Sequence, residues 1–298
     1  MSSIDTAPAA SDANPLHGVL LAAFGFFLFA SSDAIIKTLT ESYSIFQIIP
    51  MQVTFACIPL LVMVVREGGL AGMWPVHPKL VALRGFLSGM GTIFGYYAFS
   101  TLPLADVYAI AFGVPIVVTI LSIPVLGEQV GIYRWSAVLV GFVGIMVMVK
   151  PGSTELSLGH LAAAAAMFNG AVITLILRKI AGTEHSTALV TSVVVGLFVV
   201  SLPGAILSFR TPEPWHVALF AASGLMMGIA QFVMLQAFRR APAVSVAPMQ
   251  YTMMVWALLY GVVIFGDSLR FNLLLGAAIV MTSSLYIMHR ERVRRAAP

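Results

Sequence analysis

The sequence predicts an all-α integral membrane protein, with ten transmembrane helices in two inverted five-helix repeats. Three observations carry this. Hydrophobic residues make up 59% of the chain and charged residues only 9%, against about 25% charged in a soluble domain. The apolar residues are gathered into runs of spanning length. One stretch of the first half reappears, in register, in the second.

A spanning helix needs roughly 20 mostly apolar residues. Runs that meet or approach this occupy 17–37, 45–65, 81–100, 105–126, 132–149, 158–178, 187–208, 215–238, 243–265 and 271–289. No segment alternates as the strands of a membrane barrel do. Residues 1–16 are small and polar and carry no Lys or Arg. They read as a disordered tail, not as a signal peptide, whose basic n-region is missing. The single cysteine, Cys57, excludes an intrachain disulfide and reads as a small buried hydrophobe.

The echo runs from Gly85–Glu128 to Gly224–Asp267. Gly85 and Gly89 fall on Gly224 and Gly228, Ala98-Phe99 on Ala237-Phe238, and Pro103 on Pro242. Val107 falls on Val246 and Gly127-Glu128 on Gly266-Asp267. Residues 17–149 therefore read as one repeat and 158–289 as the other. The linker 150–157 between them carries the turn signal Pro151-Gly152. A basic tail, 290–298, follows. Five spans per half turn the second copy over relative to the first. The basic residues agree with this topology: only Lys37, Lys150, Arg210 and Arg270 fall on the side away from the termini. Both termini are therefore expected in the cytoplasm. Two opposed, similar halves can exchange conformations and open a shared site to each side in turn, which is the logic of a transporter.

The run Ala105–Glu128, with its central Pro115 and its Leu126-Gly127-Glu128 close, is followed by Arg134-Trp135. Then come the small-residue stretch Val140–Ile145 and Lys150-Pro151-Gly152. These features resemble the EamA domain of the drug/metabolite transporter superfamily. The resemblance covers 17–289 and implies ten helices in two halves, in a bacterial inner membrane. The second half departs from it, with Met254 where Pro115 would repeat and Gly266-Asp267 for Gly-Glu. The Leu83-Arg84-Gly85 and Leu102–Asp106 segments are similar to members that import S-adenosylmethionine or riboflavin.

No enzyme constellation, Walker loop or metal-ligand cluster is present, and no cofactor or metal is expected. The expected partners are a small-molecule substrate, the lipid bilayer and, as an option, a second copy of the chain. Nucleic acid is not expected, because the basic residues form no patch. Asp33 is the acidic residue well inside an apolar run, so it reads as a coupling or substrate-linked group. Lys37 lies at the spacing of a helix-face ion pair, which gives an outer-vestibule pair as the alternative. Asp106 reads as a cap for its helix, and Glu128 and Asp267 as structural stops.

The expected path is lined by Thr92, Tyr108, Phe112 and Pro115 from the first half, and by Asn169, Gln231, Gln250 and Tyr251 from the second. Gln52, Tyr96, Trp256 and Tyr260 complete the polar and aromatic set. Pro115 frees a backbone carbonyl near mid-depth. An aromatic wall with a few amides and hydroxyls suits a neutral or zwitterionic solute. The reading is thus a secondary transporter of a small organic metabolite. The alternative is a membrane-embedded enzyme or scaffold that uses its helices for packing alone. A passive channel is disfavoured by the sparse polar residues.

Overall fold

The computed structural model describes residues 15–66, 70–127, 131–149, 157–180, 182–268 and 270–296. Most of the N-terminal tail, Glu128 and the Pro151-Gly152 turn lie outside the described residues. Every regular element among those described is helical. In chain order they are α1 (Pro15–Leu39), α2 (Ile45–Arg66), α3 (Pro78–Thr101), α4 (Leu104–Ala111), α5 (Val114–Leu126) and α6 (Ile132–Val149). The second half supplies α7 (Leu158–Ile180), α8 (Ser186–Leu207), α9 (Pro214–Arg240), α10 (Ala243–Val246), α11 (Thr252–Val263) and α12 (Phe271–Ala296). Short 3₁₀ turns occupy Leu70–Met73, before α3, and Ala247–Tyr251, between α10 and α11.

Among the described residues, six helical stretches are long and apolar enough to cross a membrane by length and composition: Leu16–Leu39, Ile45–Val62, Leu104–Leu126, Leu158–Ile180, Ser186–Leu207 and Pro214–Arg240. Shorter apolar helices cover Val138–Val147 and Phe271–Ser283. α3 falls outside this set because it carries Lys79 and Arg84 and a strip of Gly and Ser. The expected tail boundaries shift at both ends. α1 already begins at Pro15, a residue that suits a first helical turn, and α12 continues through the basic stretch to Ala296.

The packing repeats itself between the halves. α1 lies along α9, and α7 lies along α3. α2 packs on α9 as α8 packs on α3. α2 and α8 pack on each other, as do α6 and α12, and α5 rests on α7 as α11 rests on α1. Exchanging each helix for its sequence counterpart leaves this list unchanged.

Glycine spacing explains the closest approaches. A Cβ on Gly85 would collide with the carbonyl of Ser192 on α8, and one on Gly89 would stand 2.6 Å from the carbonyl of Gly196. In the other half, a Cβ on Gly224 would collide with the carbonyl of Gln52 on α2, and one on Gly228 would stand 2.7 Å from that of Ala56. Each Gly-xxx-Gly strip therefore seats its helix against the backbone of a helix from the opposite half.

The two helix stops match as well. Gly127 and Gly266 both have φ 67°, the left-handed conformation that ends helices and that glycine adopts without a Cβ penalty.

Candidate functional site

Two broken helices organise the centre. After Ala111 the chain leaves the regular α-helix for two residues, Phe112 and Gly113, and α5 then restarts with Pro115 in its first turn. Pro115 has no N–H, so the turn before it cannot close in the ordinary way. The amide of Phe112 still makes an ordinary α-helical bond to the carbonyl of Tyr108 (2.9 Å), and that of Gly113 tightens onto the carbonyl of Ile110 (2.9 Å).

The second half breaks at the equivalent place. There Met254 stands in regular helix, and the break comes from Pro248 in the 3₁₀ turn that ends at Tyr251. The breaks meet: the Phe112 and Tyr251 rings touch edge to face with centroids 5.0 Å apart. Both residues are buried. They are each other's counterparts in the sequence repeat, so their contact lies where the two halves exchange.

Beside this contact the buried polar groups form three short chains. Tyr108 donates to Asp33 Oδ2 at 2.6 Å. Tyr96 donates to Gln52 Oε1, Gln52 donates to Ser32 Oγ (3.0 Å), and Ser32 donates to the carbonyl of Ser223 on α9 (3.0 Å). Ser31 and Tyr260 share a 2.6 Å hydrogen bond. Tyr260 stacks on Trp256, whose ring meets Phe27 at 4.7 Å. Phe99 packs edge-on against Tyr108 at 5.9 Å. α1, α2, α3, α4, α9 and α11 thus converge on one aromatic-walled polar cluster. Buried polar groups need partners, and here many of those partners lie across helices.

The remaining expected residues are placed unevenly. Asn169 is buried on α7. Its amide lies against the backbone of Gly91, 3.5 Å from where a Cβ would stand, and its Oδ1 has no hydrogen-bond partner among the described residues. Thr92, half-buried, turns its hydroxyl back onto the carbonyl of Ser88 at 2.9 Å. Pro115 is half-buried in the first turn of α5. Gln231 and Gln250 do not join the cluster; both are exposed, and Gln231 borders a small cavity of ≈ 70 Å³ beside Arg84. Sequence reasoning passed over Ser32 and Ser223, since a serine inside an apolar run carries no pattern of its own.

The charged residues at the end of α1 also resolve. Lys37 donates to the carbonyls of Phe99 (3.0 Å) and Leu102 (2.5 Å), capping the C-terminus of α3, while Asp33 takes Tyr108. The helix-face ion pair expected between them gives way to these tertiary partners. Asp106 stands in the first turn of α4, where an anion was expected, and it accepts a hydrogen bond from Arg270 at the start of α12.

A family model described as the EamA-like transporter family matches the chain twice, over residues 16–150 and 157–289. The S-adenosylmethionine uptake transporter of Rickettsia prowazekii (strain Madrid E) is 26% identical over 277 residues, which cover 93% of this chain and 94% of that protein. The riboflavin transporter of Rhizobium johnstonii (strain DSM 114642 / LMG 32736 / 3841) is 27% identical over 231 residues, 77% of this chain and 76% of the relative. A solved crystal structure superposes with a TM-score of 0.66 at 18% identity, covering 94% of this chain and 99% of that one, so the fold is shared. With two copies of one domain filling almost the whole sequence, the chain belongs to the EamA-like transporter family of membrane proteins, transporters rather than enzymes.

Proposed function

We propose that this protein is a secondary transporter in which ten spans, arranged as two inverted halves with both termini in the cytoplasm, move a small organic metabolite across a bacterial inner membrane by alternating access. The observation that carries the reading is the pair of broken helices meeting at Phe112 and Tyr251. Discontinuous helices at corresponding places in two repeats expose backbone groups at the repeat interface, where a solute is held while the halves rock. Here the breaks face a cluster that supplies one carboxylate, several hydroxyls and amides, and aromatic walls. That lining suits a flat ring system with a polar or cationic arm.

S-adenosylmethionine is the first substrate to test, because the relatives named for its uptake align over nearly the whole chain. Riboflavin is the second. Asp33 with Tyr108 is the seat for the cationic arm. Phe112 and Tyr251 bound the ring, and Asn169 offers an unused acceptor. Thr92 and Pro115 border the path, and Gln231 and Gln250 come to it in a state that turns their helices inward.

The test is uptake of radiolabelled S-adenosylmethionine and riboflavin by proteoliposomes holding the purified chain. Saturable uptake, lost in Asp33→Asn and Phe112→Ala, is expected. Uptake no faster than in empty vesicles for both solutes would refute the proposed substrate class.

A further inference from the structure

On the face away from the N-terminus, where α11 ends and α4, α7 and α12 begin, lies a cavity of ≈ 330 Å³. Its polar lining is Asp106, His160, Asp267, Ser268 and Arg270. Most of the charges around it are already engaged. Arg270 donates to Asp106. Lys37 nearby is held by two backbone carbonyls, with its ammonium 5.2 Å from the centroid of the Phe265 ring.

Asp267 feels the charge of nearby Lys37 but lacks a hydrogen-bond donor on its Oδ2 among the described residues. Its backbone N–H is fixed to the carbonyl of Gly261 at 2.8 Å, which pins the residue at the rim. Its side chain receives no hydrogen bond from any described residue, and its Oδ2 is buried. Gly261 makes room for this arrangement, since a Cβ there would stand 3.1 Å from that oxygen. A buried carboxylate oxygen without a donor is costly, and a cation brought to the half-exposed carboxylate offsets the cost.

We propose that this cavity is a second binding site, a vestibule for solutes that carry an α-amino-acid head. The ammonium is taken by Asp267, and the carboxylate lies on the Arg270 and His160 side. The site is separate from the Asp33–Tyr108 pair and precedes it on the path. The proposal rests on the transport reading only in making this the first stop of the transported solute.

Ser268, on the exposed rim of the same cavity, provides the readout. In a Cys57→Ser, Ser268→Cys chain reconstituted in nanodiscs, the rate of alkylation by a charged maleimide is measured with and without S-adenosylmethionine. Two further probes are used: methionine, and 5′-methylthioadenosine, which lacks the amino-acid head. At ten times the half-saturating concentration, occupancy slows alkylation about tenfold. The two amino-acid probes are expected to protect and methylthioadenosine is not. Adding Asp267→Asn abolishes protection while thermal unfolding of the chain is kept.

Absent protection, equal protection by methylthioadenosine, or protection that survives Asp267→Asn overturns the proposal. Measured beside proteoliposome uptake, the two readings separate. Uptake without protection sinks the vestibule alone, and protection without uptake leaves the vestibule and sinks the proposed substrate class.

Discussion

The two faces of the molecule are closed by the same clamp built from different chemistry. On the face away from the N-terminus, Gln47 near the start of α2 makes a double hydrogen bond to the backbone of Arg210, before α9 (Nε2 to O 2.6 Å, N to Oε1 2.8 Å). Tyr43 OH meets His216 Nδ1 at 3.0 Å and accepts the N–H of Glu213 at 3.2 Å. On the N-terminal face, Thr187 near the start of α8 donates to the carbonyl of Gly72 at 2.6 Å. Glu184, just before it, accepts the N–H groups of Val76 (3.0 Å) and His77 (2.5 Å) and faces His77 Nδ1 at 3.1 Å.

His77 and His216 are repeat counterparts, and so are the helices they precede or begin. One clamp is held by an amide and a phenol, the other by a buried carboxylate. Duplication preserved the place where the halves are tied and let the bonding diverge. The two faces should therefore open at different cost and answer differently to acid.

The helix seats beneath the clamps should show no such divergence, and they give the largest expected effect. Gly85→Val and Gly224→Val each drive a side chain into a backbone carbonyl of the opposite half. Each should destabilise by about 3 kcal/mol, the upper end for overpacking, because backbone cannot step aside. Thermal unfolding in detergent checks this. A large effect in one half and none in the other would break the structural equivalence of the halves.

Glu184→Ala comes next. It strips two part-buried hydrogen bonds of their charged acceptor and should cost about 2 kcal/mol. This clamp is also the one that responds to pH. Burial raises the pKa of Glu184, but the hydrogen bonds from His77 and Val76 outweigh it and hold the carboxyl below the usual range. A depressed pKa contributes stability that is full above the unfolded value and is lost as pH falls through the folded one. The Glu184 contribution should thus be constant at neutral pH and fade below about pH 4.3. Comparing the unfolding of wild type and Glu184→Ala across that range should show the two curves converging on acidification. A constant gap would mean that the carboxylate charge plays no part in the clamp.

Gln47→Ala removes the corresponding neutral tie and should cost about 1.5 kcal/mol, with no change in the difference from wild type between pH 4 and 8. A pH-dependent Gln47 effect would erase the contrast between the faces.

Much of this frame was legible in the sequence. Gly85, Gly89, Gly224, Gly228, Gly127 and Gly266 keep their spacing because each answers a backbone requirement, and backbone requirements survive divergence. The second helix break was not legible. The sequence points to position 254, where Pro115 would repeat, but the break is made by Pro248 and a 3₁₀ turn. The rotational setting of the helices was also hidden. Gln231 and Gln250 read as mid-depth lining, yet both are exposed. In helices apolar nearly all round, the polar stripe that fixes which face turns inward is missing. Lys37 and Asp33 show a third limit: a four-residue spacing names a local partner, and tertiary partners 62 to 75 positions away won. At the site, Tyr108, Phe112 and Tyr251 stood out as aromatics beside a proline. Asp267 did not, because its part depends on where α11 ends against α4 and α12.

Tyr43→Phe gives the smallest effect and the finest cut between the faces. The ring stays, with its edge-on contacts to His216 (5.2 Å) and Phe220 (5.4 Å). Only the hydroxyl is lost, leaving the N–H of Glu213 without its acceptor. The cost should be about 1 kcal/mol, below that of Gln47→Ala. A double-mutant cycle between Tyr43→Phe and His216→Ala isolates the hydroxyl–imidazole bond, since the two side chains touch and should not add. The same cycle between Tyr43→Phe and Glu184→Gln joins the two faces. As pure stability changes these distant sites should add. A coupling that emerges only in the initial rate of uptake would show that releasing one clamp changes the work of releasing the other, as a rocking pair of halves requires.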